Sequence, residues 1–173
     1  DPIDGTKAFI IGSPTWSNLI GFSYKKMAIL GLANFPDLKK FYISGKNNSY
    51  VISKNKKTTL KSSTNHNLKK IKIIGNFHNS LNQKKELSII KKFGSTLKLA
   101  SLDALNYCLL AEGKIDVVIE DNLKMFDILP LIPILQKSGA VVTTWKNRPA
   151  ENGGNIIAAS NKKLHSKILK LIK

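Results

Sequence analysis

The chain has 173 residues, 42% hydrophobic and 23% charged, which is enough apolar material for one sizeable domain or two small ones. Its net charge of +17 invites a nucleic-acid reading, but only one of its 28 basic residues is an arginine, Arg148. The lysines are scattered, without the interleaved aromatics on which bases stack. A single cysteine, Cys108, excludes a disulfide framework and a cysteine-based zinc site, and no run of eighteen apolar residues exists to span a membrane.

These features lead us to expect a lysine-covered, solvated surface with no specific nucleic-acid partner and no membrane. A basic module that binds a polyanion stands as the non-enzymatic alternative. The chain opens without Met or an export signal, so it reads as a cytoplasmic fragment.

In chain order, residues 16–20 read as a strand, followed by short strands at 27–32 and 40–43 bounded by Gly31, Pro36 and Gly45. From 44 to 70 the composition turns to Lys, Asn, Ser and Thr, and only 50–52 has strand character. A boundary near residue 68 therefore separates a sheet region, 1–68, from an α/β region, 69–173. In the second region, strands are expected at 71–74, 115–119, 140–145 and 155–159. Helices are expected at 82–92, at 102–112 with Ser101 as N-cap, at 126–137, and at 162–172. Strands alternating with helices predict a layered α/β fold.

The first six residues, Asp1-Pro2-Ile3-Asp4-Gly5-Thr6, hold the densest chemistry. Two carboxylates three residues apart on a turn stiffened by Pro2 can converge, with the Ile3 carbonyl between them. Such hard oxygen donors suit Mg²⁺ or Mn²⁺. Gly5 and Thr6 would then open a helix whose free amides favour a phosphate. The spacing alone equally allows an N-capping Asp in an ordinary turn. His66, His78 and His165 lack ligand spacing, Cys108 fits a core position, and Trp16 and Trp145 fit strand packing.

Residues 1–6, continuing Lys7-Ala8-Phe9-Ile10-Ile11-Gly12-Ser13-Pro14-Thr15, resemble the D-P-I-D-G-T signature of the inositol monophosphatase family. A second family signature is matched by Leu123 to Asp127 with Pro133 and Gly139, although Phe126 stands where Trp or Tyr is usual. Asn155 to Asn161 and Leu164-His165 resemble the family's closing strand and helix.

The resemblance implies the C-terminal portion of an αβαβα sandwich and a two-metal phosphomonoesterase that uses two or more Mg²⁺ ions on a small phosphate ester. It assigns metal binding to Asp1, Asp4, Asp127 and the Ile3 carbonyl. Phosphate binding falls to Gly5 and Thr6, and the catalytic roles to Thr6 and Asp1. Family members commonly form homodimers. They also carry a Glu-Glu motif upstream that these residues lack.

The Thr6-Lys7-Ala8-Phe9 stretch and Ser101-Leu102-Asp103 are more similar to the histidinol-phosphatase branch, which implies L-histidinol phosphate as substrate in histidine biosynthesis. Inositol-1-monophosphatase and nucleotide 3′-phosphatase activities remain as alternatives. Glu120, Asp103 and Ser101 are then the substrate-binding candidates, although Asp103 could equally serve a helix dipole.

Overall fold

The computed structural model describes residues 1–77 and 83–172; His78 and the first residue of the helix expected from 82 lie outside them. An all-antiparallel sheet comes first, β1 (Asn18–Tyr24), β2 (Met27–Phe35), β3 (Lys40–Ser44), β4 (Ser49–Ser53) and β5 (Lys56–Thr59), in that order. A second sheet follows in the order β7 (Leu97–Leu99), β6 (Ile73–Asn76), β8 (Val117–Leu123), β10 (Gly154–Ala159), β9 (Val141–Thr144). Its first three strands are mutually parallel and its last two pair antiparallel.

Period-two patterning divides the core between the faces of the second sheet. Val118, Ile156 and Ala158 face the first sheet, in a core built with α3 (Ala104–Ala111) and α5 (Leu131–Ser138). Val117, Ile119, Ile157 and Ala159 face α2 (Gln83–Phe93) and α6 (Lys162–Ile172). Among the described residues the layers thus run sheet, helices, sheet, helices. Leu131, Ile132, Ile134 and Leu135 of α5 are at most 1% exposed, and each contributes about 1.5–3 kcal/mol by burial. The outer face of the first sheet presents Ile20, Phe22 and Leu30 to the surface.

Several elements differ from their sequence outlines for identifiable reasons. β5 lies in the 44–70 stretch, where the sequence shows strand character only at 50–52. All four of its residues are exposed, so no alternation marks it; pairing with β4 and the Lys57 ammonium 3.9 Å from the Tyr50 ring hold it. The helix expected at 126–137 is two helices, α4 (Met125–Ile128) and α5, because Pro130 has no N–H to continue the ladder. Trp16 precedes its strand, stacking edge-on against Phe9 and donating to Asp37 at 2.7 Å. Cys108 and Trp145 are buried as expected.

Ser101 does not cap α3. The helix starts at Ala104, whose N–H is taken by the Asp4 carboxylate at 3.1 Å, across 100 residues of chain.

One contact between sheet and helices bears directly on the site. Gly21 and Gly31 are register partners on β1 and β2, and together they leave a bare spot on the inner face of the first sheet. The Leu129-Pro130 junction sits in it. A Cβ on Gly31 would lie 1.7 Å from the Pro130 carbonyl oxygen, and one on Gly21 would lie 2.5 Å from Leu129. Only glycine admits the junction this close.

Candidate active site

The turn at 1–6 is tied to the first sheet at both ends. Leu19 N–H donates to the Asp1 carbonyl (2.8 Å), and Asp4 and Ser17 exchange backbone hydrogen bonds of 2.8 and 3.0 Å. Gly5, at φ 75° and ψ 42°, makes the left-handed step into the short helix α1 (Thr6–Ile10). The Thr6 hydroxyl donates to the Ile3 carbonyl at 3.2 Å, and the Asp1 carboxylate accepts from the Ile3 N–H at 2.9 Å. Asp127, in the first turn of α4, accepts from the Lys124 N–H at 2.7 Å.

These local arrangements bring one carboxylate oxygen each of Asp1, Asp4 and Asp127 within 4.8 Å of one another. Asp4 is 8% exposed, and burial, offset in part by the Ala104 N–H, pushes its carboxyl up to about 7; the charges of Asp103 and Asp127 add to the rise. An all-oxygen set whose buried member resists ionisation because it is desolvated fits a hard divalent cation.

Asp1, Asp4, Gly5, Thr6 and Asp127 line a cavity of about 540 Å³, and Ser101, Asp103 and Glu120 line the same cavity. Ile3 is the one candidate outside the lining; its carbonyl meets Thr6 at the rim. Glu120, 1% exposed, stands at the middle of β8, level with the carboxyl end of the parallel strand β6, with which it pairs at Asn76. The carboxyl end of a parallel strand is where an α/β sheet offers side chains to a ligand. Asp103 serves no helix cap: its side chain makes no capping bond, and one oxygen would lie 3.0 Å from a Cβ placed on Gly5.

Asn76 and Tyr107 are polar lining residues that the sequence gives no reason to single out. Asn76 ends the apolar strand β6 and is the register partner of Glu120, a pairing that the sequence alone does not display. Tyr107 is fully buried, and burial together with the Glu120 charge drives its hydroxyl pKa upward. It lies amid apolar neighbours on α3, where spacing suggests only core.

A family model described as the inositol monophosphatase family matches residues 1–173. The bifunctional phosphatase IMPL2, chloroplastic, of Arabidopsis thaliana is 30% identical over 98% of this chain and 51% of its own length. A histidinol-phosphatase of Mycobacterium tuberculosis is 25% identical over 98% of this chain and 66% of its own. The chain therefore spans between half and two thirds of these relatives. An inositol monophosphatase from Zymomonas mobilis superposes with a TM-score of 0.86 at 27% identity, covering 99% of this chain and 68% of that one.

Proposed function

Because the chain belongs to the inositol monophosphatase family, whose members are phosphoric monoester hydrolases, we propose that it forms most of the site of a Mg²⁺-dependent phosphatase acting on L-histidinol phosphate. The observation that carries the reading is the meeting of Asp1 and Asp4 with Asp127, more than a hundred residues away, in one oxygen-lined cluster. A polyanion-binding module has no use for such a cluster, and it makes an acidic hollow in a protein of net charge +17.

Asp1, Asp4, Asp127 and the Ile3 carbonyl would hold the Mg²⁺ ions. Ions held there would supply Lewis acidity for activating a water and for stabilising the leaving alkoxide. The chain's own groups do the positioning. The Gly5 and Thr6 amides hold phosphate oxygens, and the Thr6 hydroxyl, released from the Ile3 carbonyl, orients the attacking water in line with the ester bond. Asp103 and Glu120 face the leaving group, and their negative charge favours an ester that carries an ammonium.

Likeness to the M. tuberculosis histidinol-phosphatase supports the amino-alcohol ester. Likeness to the Z. mobilis enzyme supports a polyol ester as the second reading, since inositol hydroxyls can also donate to Glu120. Comparing kcat/KM for L-histidinol phosphate and myo-inositol 1-phosphate on the full-length protein decides between them. Two charge-assisted bonds of about 1.5–3 kcal/mol predict at least a tenfold preference for the ammonium ester. A preference for the inositol ester rejects the substrate assignment, and undiminished turnover in EDTA rejects the mechanism.

A further inference from the structure

Glu120 and Asp103 come from different elements, carry like charge and share one cavity, so they repel. Between them stands Asn76, 7% exposed. Its Nδ2 donates to Glu120 Oε1 at 2.7 Å and reaches Asp103 Oδ1 at a longer 3.5 Å. A primary amide nitrogen carries two hydrogens, one for each carboxylate. The arrangement is built into the backbone, because Asn76 is the parallel-register partner of Glu120 on β6 and β8 and so presents its side chain on the same face of the sheet.

Asp103 is held from its own side as well. Its backbone lies at φ 46° and ψ −128°, a conformation that glycine normally takes, in a turn closed by the Leu105 N–H on the Leu102 carbonyl at 2.9 Å. A strained aspartate fixed beside a buried glutamate by one shared amide is costly to build and supplies no core packing.

We propose that Asn76 is a positioning residue that determines specificity: it holds Glu120 and Asp103 as a spaced carboxylate pair, and that pair selects phosphate esters bearing an ammonium over neutral polyol esters. The inference rests on the phosphatase reading above and adds to it the residue that sets the leaving-group preference. Without the amide, mutual repulsion turns the two carboxylates apart and the ammonium finds one partner instead of two. The loss should fall on binding of the ammonium ester.

The test is Asn76→Leu in the full-length protein, with saturating Mg²⁺. The variant keeps the branching and number of heavy atoms of the side chain and removes the donor. The kcat/KM ratio of L-histidinol phosphate to myo-inositol 1-phosphate should fall about tenfold, equivalent to roughly 1.4 kcal/mol, chiefly through KM for the ammonium ester. A ratio within twofold of the unsubstituted protein, or an equal loss on both esters, overturns the proposal. Should Asn76→Leu fail to melt cooperatively, Asn76→Ser takes its place. Its hydroxyl is too short to span both carboxylates, so the ratio should drop several-fold, and an unchanged ratio overturns the proposal. If the unsubstituted protein hydrolyses neither ester, the phosphatase reading falls and this inference with it. If the unsubstituted protein is selective and the substitutions do not alter the ratio, only the role of Asn76 is lost.

Discussion

On one side of the cavity, Asp1, Asp4 and Asp127 bring three carboxylates within 4.8 Å, and backbone N–H groups and the Ser17 hydroxyl donate to them. On the other, Glu120 and Asp103 are joined by the amide of Asn76. The first group gathers like charges, and burial drives its most enclosed member, Asp4, up to about 7. The second is neutralised in part by a donor that the fold itself supplies. A cluster of converging carboxylates is suited to recruiting a cation, whereas a bridged pair is suited to discriminating among ligands that arrive with their own charge.

The comparison is broken most directly at the first cluster. Asp127→Asn should lower kcat/KM about a thousandfold, on the several kcal/mol that a correctly held metal contributes. The Tm without Mg²⁺ should hold or rise, because a repelling charge is removed. In the unsubstituted protein, added Mg²⁺ should raise the Tm by mass action, and the variant should lose most of that increment. A Tm indifferent to Mg²⁺ in the unsubstituted protein would count against a metal at this cluster.

Gly31→Ala probes how Asp127 is delivered. The added Cβ meets the Pro130 carbonyl, so the α4–α5 junction must lift, at a cost of about 1–3 kcal/mol. A Tm lowered by about 2–4 °C per kcal/mol should be accompanied by a raised Mg²⁺ requirement for activity. An unchanged Mg²⁺ requirement alongside a lowered Tm would confine the glycine pair to packing.

Asp103→Gly sharpens the second side. Glycine takes φ 46° without strain, so stability should increase by about 1 kcal/mol while the preference for the ammonium ester falls about tenfold. Differential scanning calorimetry and the two-ester kcat/KM ratio read the two effects separately.

The smallest effect lies outside the cavity, at Glu112. Burial raises its carboxyl pKa, but hydrogen bonds from Lys114 and Tyr42 and the charge of Lys40, 3.2 Å away, outweigh burial and hold it below 4.5. A depressed acid adds stability above its unfolded value, 4.5, and loses it as the pH falls through the folded value. Glu112→Gln should therefore flatten the decline of Tm on acidification below about pH 4.5, with no difference in slope above it.

How much of this is legible in the sequence depends on whether a signal is local. Asp1, Asp4, Gly5 and Thr6 sit within six residues on a turn whose Pro and Gly fix its shape, and Asp127 stands in a recognisable second signature. The buried strands near 73, 117 and 156 show as apolar runs. β5 escapes notice because an exposed, lysine-rich strand has no alternation to display. Asn76 does so because its partner is 44 residues away, and a single polar residue at a strand end implies nothing until the register is known. Ser101 reads as a cap because the residue that does satisfy the Ala104 amide, Asp4, comes from the far end of the chain.

That bond from Asp4 to the start of α3 has a kinetic consequence. It closes a loop of 100 residues, and the seating of Pro130 against Gly31 closes another nearly as long. Loop closure on this scale carries an entropy cost that only native contacts across both sheets offset. Neither half of the chain therefore holds three carboxylates together while the other is unfolded. Chelating strength therefore depends on these long-range contacts, and a chain in which they have not formed presents no strong divalent-cation trap.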